Sequence, residues 1–194
     1  MSAIYDLLTK PDPAQVAKMT HPIPKARVME RELYILVQAK GKVVLDIGAT
    51  GPMHEAILQV AKKCYGMDII EKSEDNYFRI DLDRTVSLPE LSDVEVVIAG
   101  EVLEHLSNAG HFLDLLKQYK CPIVITTPNA FSEVGAFHVK RGIEHVNKEH
   151  VSYYSFQTLS VLVERHGYKM LDWCWYNGKP DRPQLAEGLV CLIS

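Results

Sequence analysis

The sequence predicts an α/β fold, a doubly wound and mostly parallel sheet with helices on both faces. Two observations support this fold class. Short apolar, β-branched runs such as Val43–Leu45 alternate along the chain with segments whose apolar residues repeat at helical spacing. The last two predicted strands, 169–176 and 188–194, are joined by a turn-rich loop without a helix, which indicates a terminal antiparallel hairpin.

Seven strands and four helices are predicted. The strands cover 43–45, 64–69, 77–82, 94–100, 122–127, 169–176 and 188–194. The helices cover 26–40, 53–63, 109–119 and 155–166, and Ser155 with Thr158 marks the start of the last one. Only nine residues separate Asp68 from Phe78, which is short for a parallel crossover. We therefore expect either a turn in place of a helix there or a displaced third strand.

The length of 194 residues indicates one domain over 1–194. Prolines break the opening of the chain, and we expect residues 1–40 to form an N-terminal helical cap. The segment 129–152 follows the fifth strand, is rich in His and Gly and has weak periodicity. Because loops beyond the carboxyl ends of strands bind ligands in such sheets, we interpret this segment as an insertion on the substrate side.

Composition narrows the function classes. The net charge of −4 argues against nucleic acid as the main partner. No apolar stretch approaches the ~18 residues that span a bilayer, and the opening residues are not a secretory signal. The four cysteines form no C-x-x-C pair, which favours reduced thiols. We expect a cytoplasmic monomer or homodimer that acts on a small molecule and has no membrane partner.

Two features suggest a nucleotide-like cofactor. The turn from Asp46 to Pro52 contains two glycines between a predicted strand and a predicted helix, which lets backbone N–H groups approach a ligand. Asp68 lies twenty-two residues after Asp46, at the end of the second strand, where a carboxylate can accept both hydroxyls of a ribose. Either feature alone is also compatible with a plain structural turn, and together they favour an adenosine-type cofactor.

The most specific segment is VIAGEVLEHL, residues 97–106. The ordered set VVLDIGATG, GMDI, IDLD, VVIAGEVLEHL, ITTPNAF and EHVNKEHVSYYSFQTLSVLVERHGY resembles the class I S-adenosylmethionine-dependent methyltransferases over Lys42 to Tyr168. Within that family it is most similar to the branch of the ubiquinone-pathway O-methyltransferases. The resemblance implies S-adenosyl-L-methionine as cofactor and methylation of a small molecule or sugar, with oxygen favoured as the acceptor atom. We expect the strand order 3-2-1-4-5-7-6, with the last strand antiparallel.

The resemblance also implies roles for single residues. Asp68 would bind the ribose hydroxyls, Asp81 would contact the adenine amino group, and Gly100 would lie beside the methionine part. The full set of expected cofactor-binding residues is Asp46, Gly48, Ala49, Gly51, Asp68, Ile69, Asp81, Leu82, Gly100, Glu101 and Val102. The family pattern D-x-G-x-G-x-G is altered here, because Thr50 and Pro52 occupy the last two glycine places.

A metal site is a second interpretation of the same region. Glu101, Glu104 and His105 fall on one face of a helical turn, and His150 would complete a ligand set for Mg²⁺ or Mn²⁺. Some relatives hold a divalent ion in this way, and metal-free relatives carry the same E-x-x-E-H string, so we do not favour a metal. His105 and His150 are the candidate catalytic residues, as imidazoles that titrate near neutral pH.

Three alternative functions stay open at this point. The E-x-x-E-H pattern is compatible with a metal-dependent methyltransferase that acts on a terminal ribose of RNA. The altered glycine turn is compatible with a non-catalytic module of the same fold that binds S-adenosylmethionine. A glycine turn with a distant Asp also occurs in nicotinamide dehydrogenases, although the EVLEHL segment and the terminal hairpin argue against that class.

Overall fold

The computed structural model describes residue 23 and residues 26–194, so the remainder of the predicted cap over 1–40 lies outside the described residues. The strands are β1 (Val28–Met29), β2 (Val43–Ile47), β3 (Lys63–Asp68), β4 (Tyr77–Arg79), β5 (Val96–Gly100), β6 (Ile123–Pro128), β7 (Met170–Tyr176) and β8 (Gly188–Ile193). The helices are α1 (Arg31–Ala39), α2 (Gly51–Val60), α3 (Ala109–Leu116), α4 (Glu133–Val139) and α5 (Phe156–Arg165), and single 3₁₀ turns occur at Leu103–His105, Lys117–Tyr119 and Pro183–Leu185.

The strands form one sheet in the order β1-β7-β8-β6-β5-β2-β3-β4. β8 runs antiparallel to β6 and β7, and all other pairs are parallel. The predicted fold class is therefore confirmed, including the terminal antiparallel hairpin. The seven predicted strands keep their predicted order, and the difference in detail is an eighth strand, β1, at the edge beside β7.

The extra strand corrects the predicted helix over 26–40. That helix begins only at Arg31, because Val28 and Met29 pair in parallel with Trp175 and Tyr176. The backbone N–H of Trp175 also donates to the carbonyl of Arg27 at 3.0 Å. The open edge of β7 satisfies its backbone groups in this way, and this long-range pairing overrides the local helical spacing.

The short link between β3 and β4 is a loop without a helix. Residues 69–76 connect two parallel neighbouring strands, and the turn at Asn76 uses a positive φ of 61°. The amide of Gly66 donates to the carbonyl of Asn76 at 3.0 Å, and the amide of Ile80 donates to the carbonyl of Asp68 at 2.8 Å. Of the two predicted outcomes, the first is correct: the second crossover helix is replaced by a loop, and the third strand keeps its place.

The core has two layers, one on each face of the sheet. Residues of β2 and β5 alternate between them, so that Leu45 and Val97 pack with α3 and α5, whereas Val44 and Val96 pack with α1 and α2. β2 is buried along its full length, as expected for a central parallel strand covered on both faces. Among the described residues, no helix has both the length and the apolar character needed to cross a membrane.

The start of α5 is a capping box, as Ser155 and Thr158 predict. The Ser155 hydroxyl accepts from the amide of Thr158 at 3.2 Å, and the Thr158 hydroxyl accepts from the amide of Ser155 at 2.9 Å. Ser155→Ala should lower the free energy of unfolding by about 1 kcal/mol, because the helix loses a cap. Urea unfolding measures this loss. Ser160→Ala, inside the same helix, is the control and should be neutral or slightly stabilising; equal losses in both variants would contradict the cap.

Candidate active site

A cavity of about 940 Å³ opens at the carboxyl ends of the central parallel strands. Nine of the eleven expected cofactor residues line it: Asp46, Gly48, Asp68, Ile69, Asp81, Leu82, Gly100, Glu101 and Val102. The other two do not. Ala49 is completely buried, and Gly51 lies outside the cavity wall.

The turn between β2 and α2 is shaped by two glycines with positive φ, 77° at Gly48 and 68° at Gly51. A Cβ at Gly48 would lie 3.0 Å from the side chain of Val102, so the first glycine is also required for close packing. The amides of Gly48 and Ala49 both donate to the carbonyl of Met67, which fixes the turn on β3. Pro52 is in the first turn of α2, where a missing N–H is tolerated, so the altered glycine pattern still starts a helix.

Asp46 lies buried near the end of β2 and has a partner that the sequence analysis missed. The Nδ1 atom of His54 lies 2.7 Å from Asp46, and the Nε2 atom lies 3.1 Å from Glu74. The hydrogen bond to Asp46 raises the pKa of His54, whereas the bond from His54 lowers the pKa of Glu74. Burial raises the pKa of the Asp46 carboxyl group, and the hydrogen bond to His54 acts against this increase. A buried, hydrogen-bonded pair of Asp46 and His54 therefore forms part of the cavity wall.

Asp68 and Asp81 follow two neighbouring strands and each uses one oxygen locally. Oδ1 of Asp68 accepts from the amide of Ile70 at 2.8 Å, and Oδ1 of Asp81 accepts from the amide of Asp83 at 3.1 Å. Within the described part of the chain, Oδ2 of Asp68 has no assigned partner, while Arg84 lies 3.3 Å from Oδ2 of Asp81 as an exposed ion pair. Both side chains line the cavity, and Oδ2 of Asp68 is available to a ligand.

Glu101 has a strained backbone and defined side-chain partners. Its φ of 56° lies in the left-handed region, which is uncommon outside glycine and typical of functional sites. The hydroxyl of Tyr176 donates to its carboxylate, and the guanidinium of Arg31 lies 3.5 Å away. Gly188, opposite Tyr176 in the hairpin, leaves room for that ring, since any Cβ there would overlap it.

Three of the four candidate metal ligands form a cluster. Glu104, His105 and His150 each offer a ligand atom, and these atoms lie within 4.8 Å of one another. The rings of His105 and His150 meet edge to face with centroids 4.6 Å apart. Glu101 lies outside this group, on the side of the cavity that faces Tyr176. The amide of Val151 donates to the carbonyl of Glu104 at 2.8 Å and so holds the 129–152 segment against this turn.

Glu104 is the buried member of that cluster. One oxygen, Oε2, accepts from the hydroxyl of Thr127 at 3.0 Å. The other, Oε1, is buried and has no hydrogen-bond partner among the described residues. Burial raises the pKa of Glu104 to about 7, and the charge of Glu101 acts in the same direction. Burial, with the neighbouring His105, lowers the pKa of His150, so His150 is neutral at neutral pH.

A second cavity of about 480 Å³ adjoins the first, and Arg31 and Glu101 line both. Its wall also carries His145 and His150 from the 129–152 segment and Tyr153, which directly follows that segment. Three further aromatic rings of the segment do not line this cavity: the His138 ring stacks on His145 with centroids 4.8 Å apart, and Phe131 and Phe137 are exposed. Tyr154, two residues past the segment, is buried.

The sequence analysis missed three side chains of the site: Arg31, His54 and Tyr176. His54 could have been found, since it shares the buried face of α2 with Ile57, and a buried imidazole requires polar partners. Arg31 lies at the start of α1, and no local pattern marks it. Tyr176 is the last residue of β7, and its contact depends on a strand that follows later in the chain.

The family is given by sequence comparison. Residues 23–172 match the family described as methyltransferase domain, which is most of the 194 residues, and the chain belongs to that family. It is a methyltransferase that uses S-adenosyl-L-methionine. The nicotinamide dehydrogenase alternative is therefore wrong. No curated protein sequence matches the chain significantly.

Solved structures of low identity share the fold. One is the small RNA methyltransferase HEN1, with a TM-score of 0.67 and 16% identity over 90% of this chain and 26% of that one. The chain thus spans about a quarter of that protein. An S-adenosylmethionine-dependent methyltransferase from Aquifex aeolicus has a TM-score of 0.60 and 16% identity. The match covers 94% of this chain and 98% of the Aquifex chain. The Burkholderia thailandensis 1,6-didemethyltoxoflavin-N1-methyltransferase, solved with S-adenosylhomocysteine, has a TM-score of 0.56, 11% identity and coverages of 89% and 92%.

Gly188→Ala tests the packing that aims Tyr176 at Glu101. The added methyl group overlaps the Tyr176 ring, so we expect a loss of about 1–3 kcal/mol in the free energy of unfolding. Urea unfolding of a double-mutant cycle with Tyr176→Leu measures the coupling, because the smaller side chain removes the overlap. The double variant should lose less than the sum of the single variants, and strict additivity would show that the overlap is not the cause.

Proposed function

We propose that this enzyme transfers the methyl group of S-adenosylmethionine to a sugar hydroxyl that is held beside a divalent cation. The observation that carries the proposal is the cluster of Glu104, His105 and His150 between the two cavities. The predicted likeness to the ubiquinone-pathway O-methyltransferases also favours oxygen as the acceptor. We further propose a cytoplasmic enzyme, a monomer or homodimer, in keeping with four free cysteines.

In this proposal the larger cavity holds the cofactor. The available oxygen of Asp68 accepts from the ribose, Asp81 with Leu82 receives the adenine, and Gly48 with Gly100 faces the methionine part. Arg31 is the one arginine or lysine that lines the cavity among the described residues, and its guanidinium suits the methionine carboxylate. The smaller cavity, which shares Arg31 with the larger one, then receives the acceptor.

The donor set fits a hard or borderline divalent cation. A buried carboxylate oxygen without a partner, at Glu104, is costly unless a cation or a proton satisfies it. Oxygen and imidazole ligands together suit Mg²⁺ or Mn²⁺, and we include Glu101, which lines the larger cavity with His105, in the proposed set. When bound, such a cation supplies Lewis acidity to the acceptor hydroxyl and holds its position.

The chain's own residues supply alignment and a base. Methyl transfer from a sulfonium requires in-line placement of the acceptor oxygen, and two adjoining cavities are compatible with cofactor and acceptor bound end to end. In this proposal Glu104 and His105, with Glu101, hold the cation, and His150 beside them stays uncoordinated, so its imidazole is the proposed base that accepts the hydroxyl proton. His105 packs against its ring and orients it. The oxygen–methyl bond forms as the sulfur–methyl bond breaks, and the proton passes to the imidazole.

A second candidate acceptor is the terminal ribose of an RNA. Two observations favour it. Glu104, His105 and His150 lie together in one cluster. The fold is also similar to that of HEN1, a small RNA methyltransferase. The net charge of −4 argues against it, since RNA binding rewards clustered basic residues. Labelled methyl transfer to a short RNA, intact or with its terminal diol oxidised, decides between the acceptors. Label that requires the diol would establish the RNA, and failure to bind RNA even at low salt would leave the free sugar.

Asp68→Ala tests the cofactor cavity. We expect S-adenosylhomocysteine to raise the Tm of the native protein, by an amount equivalent to about 2.7 kcal/mol at one hundred times its Kd. The variant should lose most of this shift, because the ribose hydroxyls lose their acceptor. Thermal scans with and without the ligand measure the effect. Asp75→Ala, an exposed acidic residue on the adjoining loop, should keep the shift; an unchanged shift in Asp68→Ala would contradict the assignment.

Glu104→Gln tests the cation. Glutamine keeps the shape and can keep the Thr127 contact, but it lacks the charge, so Mn²⁺ affinity measured by calorimetry should fall about 10- to 100-fold. Glu144→Gln, an exposed change on the 129–152 segment that carries His150, is the control and should bind Mn²⁺ as the native protein does. Equal Mn²⁺ affinity in Glu104→Gln and the native protein would overturn the proposed site.

A further inference from the structure

His54 is a buried imidazole that the reaction does not use. It is the fourth residue of α2 and is only 2% exposed. Its two ring nitrogens lie 2.7 Å from an oxygen of Asp46 and 3.1 Å from an oxygen of Glu74. The first carboxylate belongs to the central strand and the second to the loop that replaces the crossover helix. His54 therefore joins two parts of the chain that meet at the cofactor cavity.

The geometry defines the protonation state. An ionised carboxylate can only accept hydrogen bonds, and a neutral imidazole carries one N–H. Both nitrogens of His54 face carboxylate oxygens, so while Asp46 and Glu74 are both ionised the two bonds exist together only when the ring is an imidazolium. The bond to Asp46 is the main reason that the pKa of His54 lies above its usual value of 6.5.

The loop that His54 holds lines the cavity. Residues 69–76 place Ile69 and Ile70 against it, both more than half exposed. The other described contacts that hold this loop come from the two strands it connects. From β4, the hydroxyl of Tyr77 donates to the carbonyl of Ile70 at 2.8 Å, and the guanidinium of Arg79 donates to the carbonyl of Ile69 at 3.2 Å. Asp68 and Gly66 of β3 bond to the amide of Ile70 and the carbonyl of Asn76. Glu74 is thus the loop's link to α2, on the other side of the cavity.

We propose that His54 is a positioning residue for the cofactor: as an imidazolium it ties the 69–76 loop to Asp46 and keeps the cofactor cavity formed. The inference extends the cofactor site assigned above and is independent of the acceptor and of the cation. The ribose-binding oxygen of Asp68 directly precedes the loop, so a released loop displaces the carboxylate that receives the ribose. His54 does not touch the reacting atoms, and its loss should act on cofactor affinity more than on turnover.

The charged and titratable groups around the ring come from three elements. They are Asp46 from β2, Cys64 and Asp68 from β3, and Lys72 and Glu74 from the loop. Burial raises the pKa of Cys64 to about 12, so this thiol does not titrate near neutral pH. Because the pKa of His54 is raised, the tie is complete below its usual value of 6.5 and is lost as the pH rises through the higher value in the folded protein. Cofactor affinity should decline in that interval.

The test is calorimetric titration of the full chain with S-adenosylhomocysteine at about pH 6 and about pH 9, on either side of an elevated histidine pKa. In the native protein the Kd should rise about tenfold between the two, the size expected for one charge-assisted hydrogen bond. His54→Gln should bind weakly at both values and show only the pH dependence that belongs to the ligand. A His54→Gln variant with the native pH profile would overturn the proposal.

Glu74→Gln keeps the experiment decisive if His54→Gln fails to fold, because the Glu74 side chain is 42% exposed. It should raise the Kd and the KM for the cofactor at about pH 6 with little change in kcat, and hydrogen exchange at 69–76 should become faster. Glu71→Gln, on the same loop but paired only with Arg79, is the matched control and should behave as the native protein. Equal Kd values for Glu74→Gln and Glu71→Gln would refute the tie, whereas loss of cofactor binding in the native protein itself would refute the cofactor site.

Discussion

The site depends on the parallel pairing of β2 with β3 on one side and β5 on the other. All five residues of β2 are buried, and a shift by one residue would exchange its two core faces and turn Asp46 away from His54. This register places Asp46 opposite Gly66 and Ile98. It also brings Gly48 against the end of β5, where a Cβ would lie 3.7 Å from the carbonyl of Gly100. The cavity forms where these strand ends separate.

The two buried carboxyl groups near the cavity, Asp46 and Glu104, differ in their hydrogen-bond partners. Asp46 is hydrogen-bonded to His54 at 2.7 Å, so its buried carboxyl group has a polar partner. Glu104 has one oxygen bonded to Thr127 and the other without a partner among the described residues. A buried and half-satisfied carboxyl group costs stability, and proteins retain that cost where a ligand or a proton completes the group. This contrast supports the proposal that Glu104, rather than Asp46, holds the cation.

The fold class could be predicted because apolar periodicity is a local property and the strands follow it. The edge strand β1 could not, since Val28 fits the helical spacing of its segment equally well and its strand pairing is with residues far along the chain. The carboxylates at the strand ends, such as Asp68, were placed by motif order, and the structure brings them to one cavity. Tyr176 was missed, because its reach to Glu101 depends on Gly188 in the next strand.

The short crossover after β3 is held by the buried imidazole of His54 in α2. A crossover helix between β3 and β4 would pack an apolar face on the sheet. The loop over 69–76 has no such apolar face. Ile69 and Ile70 remain more than half exposed, so apolar packing contributes little to holding the loop. A polar tie is the remaining means, and it must be anchored on a rigid element. His54 satisfies that requirement, since α2 is fixed by Ile57 in the core, and the tie extends from the buried Asp46 to the exposed Glu74.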